Sequence, residues 1–205
     1  MLLLAACLLA VLSPLVVGRW PAGLLLHRWR FPLLVWATLL VQALLLEVPL
    51  PATVARVGHV LTYVAALVFL WLNRRVAGAL VVAAGAASNG LTIALNGGVL
   101  PADPAAVAAT GRVETGDFAN SAVVADPVLP WLGDVFAWPA PLPLANTFSV
   151  GDVLILLGVA VAAWTHTARL GRTPAGDGVP DGDGTSPAPG TPDDDDAPLP
   201  DRAGS

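Results

Sequence analysis

The sequence contains no lysine, and all ten of its basic residues are arginine. Charge of either sign is scarce: Asp, Glu, Lys and Arg together make 12% of the chain, about half the ~25% of a typical soluble domain. No continuous ribbon of basic residues follows the chain, which excludes nucleic acid as a partner. A single cysteine, Cys7, excludes an internal disulfide. The stretch Leu4-Ala5-Ala6-Cys7 matches a lipoprotein cleavage box only superficially, since a basic n-region and an apolar h-region do not fit in six residues. The three histidines, His27, His59 and His166, are too dispersed for a compact metal motif. Phosphate-binding glycine loops and nucleophile elbows are also missing, so neither a metal nor an organic cofactor is implied.

What is abundant is apolar. Hydrophobic residues make up 56% of the chain and the mean hydropathy is +0.72. This composition, rich in Ala, Gly, Val, Pro and Asp, suggests a bacterial protein whose first partner is the lipid bilayer. Spanning a membrane takes about 20 mostly apolar residues. Five segments approach that: 1–17, 31–46 (closed by Pro49 and Pro51), 57–72, 76–95 and 150–170. The third is short and needs its flanks. The fold class expected is therefore an all-α membrane protein, a bundle of five transmembrane helices.

Arginine placement orients these spans. If the helices alternate, Arg19, Arg28, Arg30, Arg74, Arg75, Arg169 and Arg172 share one side, while Arg56 and Arg112 lie on the other. By the positive-inside rule the N-terminus is outside and the C-terminus cytoplasmic, in a bacterial plasma membrane. Trp20, Trp29, Trp71 and Trp164 then sit near the inner boundary, where indoles are favoured.

The outer loop 99–147 is expected to be partly structured. Asp103-Pro104 reads as an N-cap with proline at the first helical position and Gly111 as a stop, giving a short helix 104–110. Farther on, Trp131, Phe136 and Trp138 are interleaved with Pro130, Pro139, Pro141 and Pro143. Those breakers exclude a span, and the aromatics suit the membrane surface or a fold back over the helix ends. After Arg172 the chain turns to Gly, Pro, Asp, Ser and Thr, with Asp193–Asp196 in a row. The expectation for 173–205 is a disordered, acidic cytoplasmic tail. Without glycine and glutamate at EF-hand spacing, the aspartates do not make a calcium loop.

The fourth span carries the chemistry. At 100° per residue, Ser88, Asn89, Thr92 and Asn96 fall within one arc of roughly 100°, together with Gly78 and Gly85. Leu80, Leu91, Ile93 and Leu95 fall outside it. One reading is packing: small residues allow close approach, Asn, Ser and Thr bond across the contact, and Asn96-Gly97-Gly98 makes a left-handed helix cap. The other is that Asn89 and Asn96 line an outward-facing polar pocket for a small solute, ion or lipid headgroup. Glu47, Arg56, His59 and Asp152 converge on the same level. Asp152, three residues after Ser149, also fits an acidic capping box, and Asp134 in Leu132-Gly133-Asp134 fits a turn. The candidate ligand-binding residues are thus Asn89, Asn96, Asp134, Asp152 and His59. A non-catalytic binder is favoured. The alternatives are a membrane enzyme using Asp134, Asp152 or His59 on a lipid-linked substrate, and a scaffold with no pocket, in which neighbouring helices fill the stripe.

The stretches Asn89…Asn96-Gly97-Gly98-x-x-Pro101, Leu132-Gly133-Asp134 and Phe148-Ser149-Val150-Gly151-Asp152, in this order, resemble a domain-of-unknown-function family, number 5317, of small multi-pass bacterial membrane proteins. The likeness covers about residues 1–170 and leaves out the tail. Methionine usually precedes the proline of the first motif; here it is Leu100, a conservative change. The resemblance implies a multi-pass helical fold and brings no activity with it.

Overall fold

The computed structural model describes residues 2–48, 50–111 and 121–169. The tail expected over 173–205 and Arg112 lie outside the described residues.

The molecule is mostly helical. α1 (Leu2–Leu12) tightens into a 3-10 turn over Ser13–Val17, where Pro14 enters. A short α2 (Ala22–Leu25) precedes α3 (Pro32–Glu47), which has proline at its start. α3 stops at Glu47 because Val48 is extended, as a residue before proline must be. α4 (Ala52–Leu72) and α5 (Ala79–Leu95) follow, then α6 (Pro104–Ala109) and α7 (Val150–Thr165). α4 draws in the flank 52–56 and reaches 21 residues. Among the described residues it is the one helix long and apolar enough to cross a membrane by length and composition. Leu2–Val17, Pro32–Leu45, Ala79–Leu95 and Val150–Thr165 are shorter apolar helices.

The long helices pack side by side in the order α3, α4, α5, α7, α1, with α5 and α7 at the centre. α5 and α7 run antiparallel on glycine. A side chain on Gly85 would overlap the Gly151 carbonyl, and one on Gly78 the Gly158 carbonyl. In each helix the two glycines are seven residues, or two turns, apart, so both contacts recur on one face. That spacing brings the backbones together where any larger residue would hold them apart.

The expectation of an all-α chain is corrected in detail. β1 (Arg19–Trp20) pairs antiparallel with β6 (Ala168–Arg169), and β2 (Leu100–Pro101) runs parallel to β3 (Ser121–Ala122). β4 (Phe136–Trp138) and β5 (Asn146–Phe148) form a hairpin with Phe136 stacked on Phe148. These ladders are two or three residues long and satisfy the backbone of segments between and after the helices. The helix expected at 104–110 is α6, capped by Asp103, whose Oδ1 accepts from the N–H groups of Ala105 (2.8 Å) and Ala106 (3.0 Å). The 3-10 turn Pro130–Leu132 lies against α5 and α7, so this segment does fold back over helix ends.

Side chains are distributed inside out. On α4 the buried residues are Ala55, His59 and Thr62, whereas Val54, Val57, Leu61, Val64, Val68 and Trp71 are exposed. On α3, Leu33 is 79% and Trp36 69% exposed. On α3 and α4 most large apolar groups thus face outward, while the buried positions of α4 are small or polar.

Candidate functional site

α5 positions the polar stripe by its own periodicity. Gly85, Asn89 and Thr92 are buried, while Leu80, Leu91 and Leu95 are exposed. Ile93, off the arc, is nevertheless 1% exposed. α5 is covered on two sides, by α4 as well as α7, so its buried surface is wider than the stripe.

Asn89 reaches across to the start of α7. Its Nδ2 donates to Asp152 Oδ1 at 2.9 Å, and its Oδ1 accepts from Ser149 Oγ at 2.9 Å. Ser149 and Asp152 are joined in turn by a capping box: Asp152 N–H donates to Ser149 Oγ (3.0 Å) and Ser149 N–H to Asp152 Oδ2 (3.1 Å). The cap and the inter-helix lock are therefore one network. Gly151 makes room for it, since a Cβ there would overlap Asn89 Oδ1. From α4, Tyr63 packs on Gly90, and its hydroxyl interacts with the Asn89 amide.

The other candidate residues sit elsewhere. Asn96, the C-cap of α5, is seven residues, about 10 Å, further along the helix. Its Nδ2 donates to the carbonyls of Thr92 (2.7 Å) and Val128 (2.9 Å), and its Oδ1 accepts from Val128 N–H (2.8 Å). It clamps the segment before the 3-10 turn to the helix end. Gly97, in the left-handed region at φ +69°, and the Gly98 N–H to Ile93 carbonyl bond of 2.8 Å complete a Schellman-type cap. His59, buried on α4, donates from Nδ1 to the Gly98 carbonyl at 2.9 Å. Asp134 lies in the loop. Its Oδ2 accepts from Ser121 Oγ (2.6 Å) and Thr147 Oγ1 (3.0 Å), and its backbone bonds Pro101 and Asp103. Of the five candidates, then, Asn89 and Asp152 meet directly, and His59 and Asn96 hold the two sides of one glycine turn. Asp134 organises the loop.

Chemically, each of these groups is engaged by side-chain or backbone partners of its own. Among the described residues no three His, Cys, Asp or Glu gather as a metal site. An open groove of about 400 Å³ lies beside this network, lined by Thr53, Arg56, Val57, Val60, Leu61, Ala94 and the Gly97-Gly98 pair. The sequence marks Arg56 by its expected side of the membrane and its level in the chain but not as part of a groove, because a groove between two helices leaves no local sequence signal. The Thr62 hydroxyl bond to Gln42 Oε1 (2.7 Å), which ties α4 to α3, has no local sequence signal either.

Comparison with the curated proteins and with the solved structures found no match. Residues 25–164, which contain α3 to α6, all but the last residue of α7 and most of the bonds just described, match a family of unknown function, DUF5317, and the chain belongs to that family.

Proposed function

We propose that the chain is an integral protein of a bacterial plasma membrane, with five helices crossing the bilayer, and that it acts by binding rather than by catalysis. The observation that carries the membrane reading is the inside-out surface of α3 and α4, with Leu33, Trp36, Leu61 and Trp71 outward and His59 and Thr62 inward. In water so much contiguous apolar surface would drive association. In lipid it is the ordinary state, and inward polar groups are what hold such helices together. α3, α5 and α7 have 16, 17 and 16 residues, roughly 24–26 Å of helix. The ~30 Å hydrocarbon core is matched by local thinning and by flanking anchors. The arginine asymmetry supports an outer N-terminus and a cytoplasmic C-terminus.

Binding is preferred to catalysis because Asp152, His59 and Asp134 each spend bonds on the fold, with Asn89 and Ser149, with Gly98, and with Ser121 and Thr147. An acid–base pair needs such groups within reach of each other and of a substrate. The filled stripe also favours a second reading, a scaffold that presents its outer face to other membrane components.

Alkaline carbonate extraction tests membrane integration, and thiol labelling tests topology. In a Cys7→Ser background, cysteines at Ala108 and Ala175 are treated with an impermeant reagent in intact cells. Labelling at Ala108 alone is expected; labelling at Ala175 alone would reverse the orientation, and release by carbonate would end the membrane reading.

A further inference from the structure

The groove between α4 and α5 combines one cation with an apolar channel. Arg56 stands at its rim, exposed, and among the described residues no carboxylate pairs with it. Thr53 lies one turn before it, in the first turn of α4, where no side chain caps the helix N-H groups. Along the groove away from that rim the lining is Val57, Val60, Leu61 and Ala94. From Thr53 to Leu61 the helix rises about 12 Å. The groove is held in shape by the turn at the end of α5. A Cβ on Gly98 would stand 2.5 Å from Arg56 Cβ, so the arginine stem lies directly on that glycine. His59 fixes the same glycine through its carbonyl, and Asn96 fixes the turn to Val128. The Asn-Gly-Gly sequence thus builds a wall against which one arginine is held.

We propose that this groove holds an anionic phospholipid of the surrounding bilayer, its phosphate on the Arg56 guanidinium and the Thr53 end of α4, and one acyl chain along Val57, Val60, Leu61 and Ala94. This rests on the membrane reading above and names the ligand class and the site. Charge complementarity selects the occupant. The rim has a planar donor suited to phosphate, the unsatisfied amides of a helix start favour an anion, and the channel behind offers only apolar contact. A soluble anion would leave the channel empty. A volume of about 400 Å³ falls in the range of roughly 300–1,000 Å³ for small-ligand sites.

The test uses the full chain, purified in a neutral detergent and analysed by native mass spectrometry after titration with phosphatidylglycerol or phosphatidylcholine of the same acyl chains. Phosphatidylglycerol should be retained preferentially. Arg56→Gln should weaken that retention about fivefold, the factor corresponding to ~1 kcal/mol for one basic residue at an anionic membrane surface, and Arg56→Lys should restore most of it. Ala94→Trp should obstruct the channel and reduce binding of both lipids, while Arg74→Gln, at the other end of α4, should leave it unchanged. Inorganic phosphate should not compete at millimolar concentration; if it displaces the lipid completely, the site is a soluble-anion site and the proposal fails. Equal retention of the two lipids, or no effect of Arg56→Gln on a folded protein, overturns it while leaving the membrane reading intact. A dimer in detergent that Ala94→Trp dissociates would make the groove a contact between copies, which also overturns it. Release of the protein by alkaline carbonate would overturn both.

Discussion

Asn73 and Asn96 terminate consecutive helices in the same way. Each is a C-cap, each donates from Nδ2 to the carbonyl four residues earlier (Phe69 and Thr92), and each pairs in both directions with the backbone of a distant residue. Asn73 takes Arg30, with bonds of 2.9 Å and 3.1 Å; Asn96 takes Val128, with 2.8 Å and 2.9 Å. An amide is the one side chain that offers a donor and an acceptor side by side, so it can pair with a peptide group as another strand would. The helix ends thereby hold the connecting segments at opposite ends of α4 and α5.

Replacing either asparagine by alanine should release its segment. Net hydrogen bonds are worth ~0.5–1.5 kcal/mol each, so Asn96→Ala should cost about 1–2 kcal/mol, and Asn73→Ala, at 3% exposure, somewhat more. Limited proteolysis should then cut Asn96→Ala faster within 121–148 and Asn73→Ala faster within 26–31. The same cleavage pattern in both variants would mean that the clamps are not local.

The glycine contacts between α5 and α7 give a second, graded prediction. Gly158→Ala brings a Cβ to 2.6 Å from Val82 Cγ2 and 2.7 Å from Val82 N, and Gly85→Ala meets Ile155 N at 2.9 Å as well as the Gly151 carbonyl. Backbone cannot yield as a side chain end can, so the helices must separate, at the ~1–3 kcal/mol typical of overpacking or more. Gly97→Ala meets nothing within 4 Å and pays only for its positive φ, about 1 kcal/mol. Thermal unfolding in detergent should therefore rank Gly97→Ala well above the other two. Equal midpoints would refute the glycine contact as the reason for the close packing.

Much of this was legible in the sequence, for definite reasons. The short helix after Asp103, the capping box at Ser149 and the left-handed turn at Gly97 follow from local side chain–backbone chemistry, which a few neighbouring residues determine. The polar stripe was visible because periodicity alone defines a face. The destination of each polar group was not, because partners lie far off in sequence: Asn96 and Val128 are 32 residues apart, Asn89 and Asp152 63. Asn73 gave no signal at all, since one asparagine after a hydrophobic helix looks like any other turn residue. The strand pairs escaped for a similar reason: two residues are too few to show alternation.

Asp134 provides a third prediction. Its carboxylate gathers Ser121 and Thr147, and its backbone bridges Pro101 and Asp103, so three stretches of the loop meet at one residue. Asp134→Ala leaves two hydroxyl groups without that acceptor and should cost ~1–3 kcal/mol, while Asp134→Asn keeps one acceptor oxygen and should cost less. Hydrogen exchange at Ala102 and Asp103, whose N–H groups are bonded within this loop, should accelerate in the alanine variant and much less in the asparagine variant. Unchanged exchange would show that the backbone bonds and apolar contacts hold the loop without the carboxylate.

The final prediction concerns Asn89 and its two partners. Asn89 is 1% and Ser149 0% exposed, so neither finds water if the other is removed. Asn89→Ala leaves Asp152 Oδ1 and the Ser149 hydroxyl without the amide; Ser149→Ala leaves Asn89 Oδ1 without its donor and also deprives α7 of its cap. Ser149→Ala should therefore be the costlier of the two, by about the ~1 kcal/mol of an N-cap. In the double variant the direct bond is lost only once. On the proposed membrane reading the relevant scale is that of inter-helix hydrogen bonds in bilayers, which average ~0.6 kcal/mol and reach about 1.7. This one, buried and part of a connected network, is expected near the upper end, because its members polarise and orient each other. A double-mutant cycle on unfolding in mixed micelles measures the coupling directly. If the stripe only packs, the coupling exceeds about 1 kcal/mol, and any lipid retained by either variant scales with the amount of folded protein. Coupling indistinguishable from zero would mean that Asn89 is held by Asp152 and by its packing on Gly151 rather than by its bond to Ser149. Loss of lipid retention in Asn89→Ala at undiminished stability would return the stripe to the role of a pocket.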